Sequence, residues 1–213
     1  MKTEQLIDML STNVEPVDRG QLQRTLAWAV AIGGVAAFCV MLATIGLRPD
    51  FGTGTKLGFL VLKLLFTLSL IGVGTVFLIR AMFPGRDARR PFTLAFLPFI
   101  AAGLAGMAAL VLASPSVWRS MILEAEWAGA LICIPLFGII PFVILIWALR
   151  KGAPTNLRRT GAVAGLVAGA LGATAYAFNC PHDSLPFIAI WYGTAIALCA
   201  VIGALLGPRV LRW

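Results

Sequence analysis

The sequence predicts an all-α fold: a polytopic membrane protein with six transmembrane helices and both termini in the cytoplasm. Three observations carry that expectation. Of 213 residues, 60% are hydrophobic and only 12% charged, and the mean hydropathy is +0.92. Ordinary soluble domains carry about 25% charged residues, and a soluble fold of this length cannot hide so much apolar side chain. Six stretches are long enough to cross a bilayer, and the loops joining them alternate between strongly and weakly basic.

A spanning helix needs about 20 mostly apolar residues. The candidate spans are 26–47, 59–79, 92–113, 127–149, 161–178 and 187–206. They divide the chain into an N-terminal segment, 1–25, a six-helix domain, 26–206, and a short tail, 207–213. The fifth span is short and rich in glycine, and the run from Asn179 to Pro186 separates it from the sixth. Gly161, Gly165 and Gly169 repeat at every fourth position, and Gly203 with Gly207 repeats the spacing. Small residues let helix backbones approach closely in lipid, so these ladders predict compact bundle packing. No periodic repeat of the kind that marks many transporters is visible.

Orientation follows from the positive charges. One side collects Lys2, Arg19 and Arg24, then Arg80, Arg86, Arg89 and Arg90, then Arg150, Lys151, Arg158 and Arg159, and finally Arg209 and Arg212. The other side has only Arg48, Lys56 and Arg119. The first side is therefore expected in the cytoplasm, with an even number of spans returning the chain there. The net charge of +8 is spent on these loops, with no basic stripe on a soluble domain, so direct nucleic-acid binding is not expected. Glu4, Asp8, Glu15 and Asp18 near the start are unlike the basic opening of a signal peptide, so this segment is expected to stay attached.

That N-terminal segment holds a short amphipathic pattern. Thr3 suits a cap, Leu6, Ile7, Met9 and Leu10 cluster on or near one face, and Pro16 stops continuation. Helices that lie on a membrane surface usually present basic polar faces. This one is acidic, which favours a protein partner gripping it as a helix in a groove.

Groups able to carry chemistry are few. There is one histidine, and no paired carboxylates within a span, phosphate-binding loop or histidine pair appears, so neither an enzyme nor a cofactor is expected. Lys63 is the clear ionisable residue inside a span, which makes it a functional hypothesis. Its shallow depth favours the plainer reading, an ammonium that snorkels to the interface. Of the four cysteines, Cys133 lies about 9 Å below the outer end of the fourth span, counted at the helical rise. Cys180 lies in the outer run Asn179-Cys180-Pro181-His182-Asp183, and Cys39 and Cys199 lie deeper in hydrocarbon. A membrane cysteine is usually a small inert apolar residue. Cys133 and Cys180 near one face, with His182 and Asp183 as accessory ligands, also suit disulfide exchange or transient binding of a soft metal by Cys133, Cys180 and His182. Spacing alone leaves both readings open.

The chain also resembles the NrsF-type membrane anti-sigma factors of proteobacteria. The resemblance rests on landmarks in order along essentially the whole chain. They are TEQLIDML followed by Pro16-Val17, GLRPD after the first span, Lys63, and the PGR turn at 84–86. Then follow ALRKGAPTNLRRTGAVAGLVAGALGA at 148–173, CPHDS at 180–184 and the ending GPRVLRW. It implies a regulator that holds an extracytoplasmic-function sigma factor at the inner membrane until a signal arrives. It also implies that Cys133 and Cys180 sense that signal. Docking would use Leu6, Ile7, Asp8, Met9 and Leu10, with acidic charge complementing the basic surface of a sigma factor. The rival class is a small transporter or channel with Lys63 on its path; a membrane redox enzyme would need ligands that one histidine hardly supplies.

Overall fold

The computed structural model describes residues 19–48, 54–83, 89–123 and 127–212. The docking residues Leu6, Ile7, Asp8, Met9 and Leu10 lie outside this set. The described residues are helical, with six helices long and apolar enough to span a membrane.

In chain order the helices are α1 (Arg19–Thr44), α2 (Gly54–Ala81), α3 (Arg89–Leu94), α4 (Leu97–Leu112), α5 (Pro115–Ile122), α6 (Trp127–Leu149) and α7 (Leu157–Ala177). The last, α8 (Leu185–Val210), carries a single π-helical stretch over Ile188–Tyr192. The spans are α1, α2, α3 with α4, α6, α7 and α8. The third expected span is interrupted after Leu94, and Pro98 occupies the first turn of α4. A proline is tolerated there because that N–H has no intrahelical partner. The fourth matches the expected 127–149, whereas α1, α2, α7 and α8 reach beyond the apolar cores read from sequence. The amphipathic helix α5 was not expected; Ser114 and Pro115 start it.

Local chemistry explains the boundaries. Gly46 sits at φ +79°, and its N–H donates to the Met41 carbonyl. That left-handed turn closes α1, a conformation glycine adopts without penalty. Asn156 caps α7 by accepting from the Arg159 N–H at 3.0 Å, and Ser184 caps α8 by accepting from the Phe187 N–H at 3.3 Å.

The centre of the bundle is α7, buried along almost its whole length. It carries glycine and alanine where an ordinary globular helix carries leucine, and its neighbours therefore touch backbone. A Cβ added at Gly161 would strike the Gly203 carbonyl oxygen, and one at Gly165 the Cys199 carbonyl oxygen. Toward α6, a Cβ at Gly172 would lie 2.5 Å from the Ile134 oxygen, and one at Gly138 3.2 Å from the Ala168 oxygen. The ladders read from sequence are thus the seams by which α8 and α6 grip α7. In lipid this close packing supplies the association energy that burial from water supplies elsewhere.

Arg19, Ala81, Leu149, Leu157 and Val210 share one end of the bundle, termed the near end. Thr44, Leu112, Ala177 and Leu185 share the other, the far end. Cross-links agree with this order: the Ala153 N–H donates to the Met82 carbonyl, and the Arg48 N–H to that of Phe178.

Candidate functional site

At the far end the connection from α7 to α8 is tied down on every side. The Lys63 ammonium, carried on α2, donates to the Cys180 carbonyl oxygen and to Asp183 Oδ1, each at 3.3 Å. Arg48, just past α1, donates through Nη1 to the same carbonyl at 3.4 Å and to Asp183 Oδ2 at 3.3 Å. Two cations, one on α2 and one just past α1, therefore share one carboxylate and one carbonyl. Asn179 adds a bond from Nδ2 to the Gly46 carbonyl at 3.0 Å. From the other side Ser184 Oγ donates to the Met121 carbonyl at 2.9 Å and Trp191 Nε1 to that of Ile122 at 2.8 Å, which fixes α5 against the same loop.

Lys63 is 1% exposed. This corrects the snorkelling reading. The lysine is shallow, but protein rather than water lies above it, because the loop folds over the bundle and brings the carboxylate down. A buried ammonium needs such a partner, since an uncompensated charge in this medium costs several kcal/mol. Among the described residues Asp183 is the sole acidic side chain, and it serves as counter-ion to Lys63 and Arg48. Below Lys63 a polar column continues into the bundle. Thr67 Oγ1 donates to the Lys63 carbonyl at 3.1 Å, and Thr174 Oγ1 of α7 lies 3.0 Å from Thr67 Oγ1.

Cys180 is 1% exposed, under the loop. Tyr192, fully buried, lies within electrostatic reach of Cys180, Tyr176 and Asp183. Its ring stands 6.0 Å from that of Tyr176 and 6.3 Å from that of Phe187, which lies 5.0 Å from the imidazole of His182. Cys133 is half-buried on α6. The Ile134 carbonyl faces Gly172, which puts Cys133 near the level of Ala173. At the helical rise Cys180 is then about 10 Å closer to the far surface. All four cysteines are free thiols. Among the described residues no three His, Cys, Asp or Glu side chains converge as a metal site, so Cys133, Cys180 and His182 are not assembled into the three-ligand set considered from sequence. Cys199 packs on Gly169, and Cys39 is exposed on α1.

Sequence reasoning missed Arg48, Tyr192 and the Thr67–Thr174 link. A signal for the first existed: an intramembrane lysine demands a carboxylate, and Asp183 beside Cys180 and Arg48 after α1 are charges on the same face. Nothing local announced Tyr192, whose place depends on the π-helical stretch.

Six apolar helices with their polar chemistry gathered at one end define a multi-pass membrane protein. Comparison with known proteins narrows this. The family model described as "NrsF: Negative regulator of sigma F" matches residues 10–213, and the chain belongs to that family of anti-sigma factors. Similar relatives include the "Probable anti-sigma-F factor NrsF" of Azospira oryzae, 31% identical, and the "Anti-sigma-F factor NrsF" of Caulobacter vibrioides, 30% identical, each over the full length of both chains. No solved structure gives a significant match. The family is regulatory rather than enzymatic.

Proposed function

We propose that this chain sequesters an extracytoplasmic-function sigma factor at the bacterial inner membrane, with the near end in the cytoplasm, and releases it on a thiol-reactive metal or oxidative signal. Family membership supports the anti-sigma role most directly. The excess of Lys and Arg at the near end supports the orientation. Docking is assigned to the acidic amphipathic segment at Leu6, Ile7, Asp8, Met9 and Leu10.

The observation that carries the signalling half is the loop that holds Cys180. Its carbonyl is bonded by Lys63 and Arg48 while its side chain is buried. That side chain is shielded from solvent, so a reagent reaches it only as the loop moves against its bonds to Arg48 and Lys63. Cys133, on a different helix, is the second thiol of the proposal, with His182 at the loop as an accessory group. The rival reading, a transporter or channel, places Lys63 on a path, where the ammonium is bonded to Asp183 and a carbonyl; family membership favours the regulator.

Co-purification of the detergent-solubilised protein with the sigma factors of its host tests the reading. One sigma factor should be retained, then released when the complex is treated with a thiol-reactive metal. Retention of none, in preparations whose membrane protein is monodisperse, would end it.

A further inference from the structure

Between α6 and α8 lies an apolar groove of about 770 Å³. Its floor is α7 at Gly165 and Ala168, and its walls are α6 as far as Trp147 and α8 as far as Val210. The groove exists because α6 and α8 both press onto glycine positions of α7 and leave a gap between themselves. Pro135 and Pro141, inside α6, each remove a helical hydrogen bond and disfavour a straight course. The wall residues Ile139, Val143 and Ile202 are 55%, 61% and 42% exposed, so no part of the described chain covers them.

The near end of the groove has a different chemistry. Arg150 lines it and donates through Nε to the Val210 carbonyl at 2.8 Å, joining the ends of α6 and α8. Its terminal amino groups face no carboxylate among the described residues, whose one acid, Asp183, is at the opposite end. Lys151 stands beside it with its ammonium 3.9 Å over the Trp147 ring, a cation and an aromatic anchor at interface level.

We propose that this groove binds an anionic phospholipid of the near-end leaflet, with an acyl chain between α6 and α8 and the phosphate on Arg150. An apolar channel closed by one guanidinium calls for an alkyl chain ending in one anionic group. On α8 the lining runs from Cys199 to Val210, a helical rise of about 16 Å, close to the roughly 15 Å of one leaflet's hydrocarbon, while the α6 wall continues past Ile139 to Ile132. Arginine presents paired donors to phosphate, and basic pockets between spanning helices are where anionic headgroups lodge. A zwitterionic lipid carries its own cation, which Lys151 and Arg150 repel. Free phosphate would leave the apolar walls without a purpose.

Native mass spectrometry of the full-length protein with dioleoyl-phosphatidylglycerol and dioleoyl-phosphatidylcholine tests the proposal. The wild type should retain the anionic lipid about tenfold better, the equivalent of about 1.4 kcal/mol. Arg150→Gln should abolish that preference while leaving residual binding of both lipids. Ile202→Trp, whose bulk fills the groove from an exposed wall, should lose both, and Ile139→Trp repeats the test from the opposite wall. Val111→Trp, on an exposed face of α4, is the control and should bind as wild type. Equal retention of the two lipids by the wild type, or undiminished phosphatidylglycerol in the two groove-filling variants, would overturn the proposal. So would a dimer mass that Ile202→Trp converts to monomer, which would make a second copy the occupant.

Discussion

Lys63 and Asp183 meet at 3.3 Å across 120 positions of sequence, and their burial is unequal: the lysine side chain is 1% exposed and the aspartate 19%. The ammonium depends on the loop for all of its solvation, whereas the carboxylate keeps some water and a second cation, Arg48.

That inequality predicts unequal mutational costs. Asp183→Asn leaves a buried ammonium without its counter-ion, and breaking a buried pair in this way costs about 3–5 kcal/mol. Water reaching the aspartate puts the expected loss at the lower bound. Lys63→Met removes the demanding partner and leaves Asp183 bonded to Arg48, so it should cost less. Thermal melting of the solubilised variants measures the order; a greater loss in Lys63→Met would mean that the pair is not what holds the loop.

The glycine seams give a second prediction. Gly165→Ala drives a Cβ into the Cys199 carbonyl, a rigid backbone atom, so α8 must move off α7. Overpacking of this kind costs about 1–3 kcal/mol. Gly103→Ala meets nothing within 4 Å and should be neutral or slightly stabilising, since alanine is the better helix former. Melting temperatures of the pair, in the same detergent, separate the two outcomes.

How much of this was legible follows from the range of each signal. Apolar stretches are local, so the six spans could be read directly, down to 127–149 for α6. The ladder of Gly161, Gly165 and Gly169 is also local, and its meaning in lipid is nearly unambiguous. The charge cluster is not local. Lys63 taken alone looks shallow enough to snorkel, and only the fold shows that the loop at Cys180–Asp183 covers it. The acid in CPHD suggested a metal ligand because cysteine and histidine precede it, and the cations that it pairs with, Lys63 and Arg48, come from distant parts of the chain. The break after Leu94 and the π-helical turn before Gly193 depend on tertiary packing and leave no periodic trace.

Orientation is the cheapest of the proposals to check. Reporter fusions after residue 85, after residue 154 and at the C-terminus should report cytoplasm, and fusions near Ser116 and Asp183 should report periplasm. A periplasmic signal from the 150–159 loop would reverse the bundle and remove the basis for docking at the near end.

Docking makes its own prediction. Leu6→Asp or Leu10→Asp would place an unpaired carboxylate against the sigma factor, at a cost on the order of a few kcal/mol. Sigma-dependent transcription should become constitutive while the membrane protein accumulates normally on immunoblots. Intact repression in both variants would move the docking surface to the basic loops.

The thiols give the prediction that joins the far end to the near end. Packed helices move between discrete arrangements and do not bend continuously, so a signal must favour one arrangement over another. A ligand does so only if it binds the releasing state more tightly than the holding one. On the proposed reading Cys180 makes that discrimination. Its side chain is buried beneath a loop bonded to Arg48, α2 and α5, so on that reading a metal or oxidant that captures it gains most when the loop has lifted. Cys133 lies about 10 Å deeper by helical rise and is only half-buried. A bond or bridging metal between the two would draw α6 toward the loop, moving two elements at once. Cys39 is exposed on α1, so a substituent there displaces nothing, and Cys199 packs on Gly169, deep in the bundle. Cys133→Ser and Cys180→Ser should therefore each blunt induction by thiol-reactive metals or oxidants in a sigma-dependent reporter, while Cys39→Ser and Cys199→Ser leave it largely intact. Asp183→Asn, which loosens the loop without touching a thiol, should raise basal transcription instead. Full induction in the Cys133→Ser, Cys180→Ser double variant would return both residues to the role of small apolar packing and leave the charge cluster as a purely structural clasp.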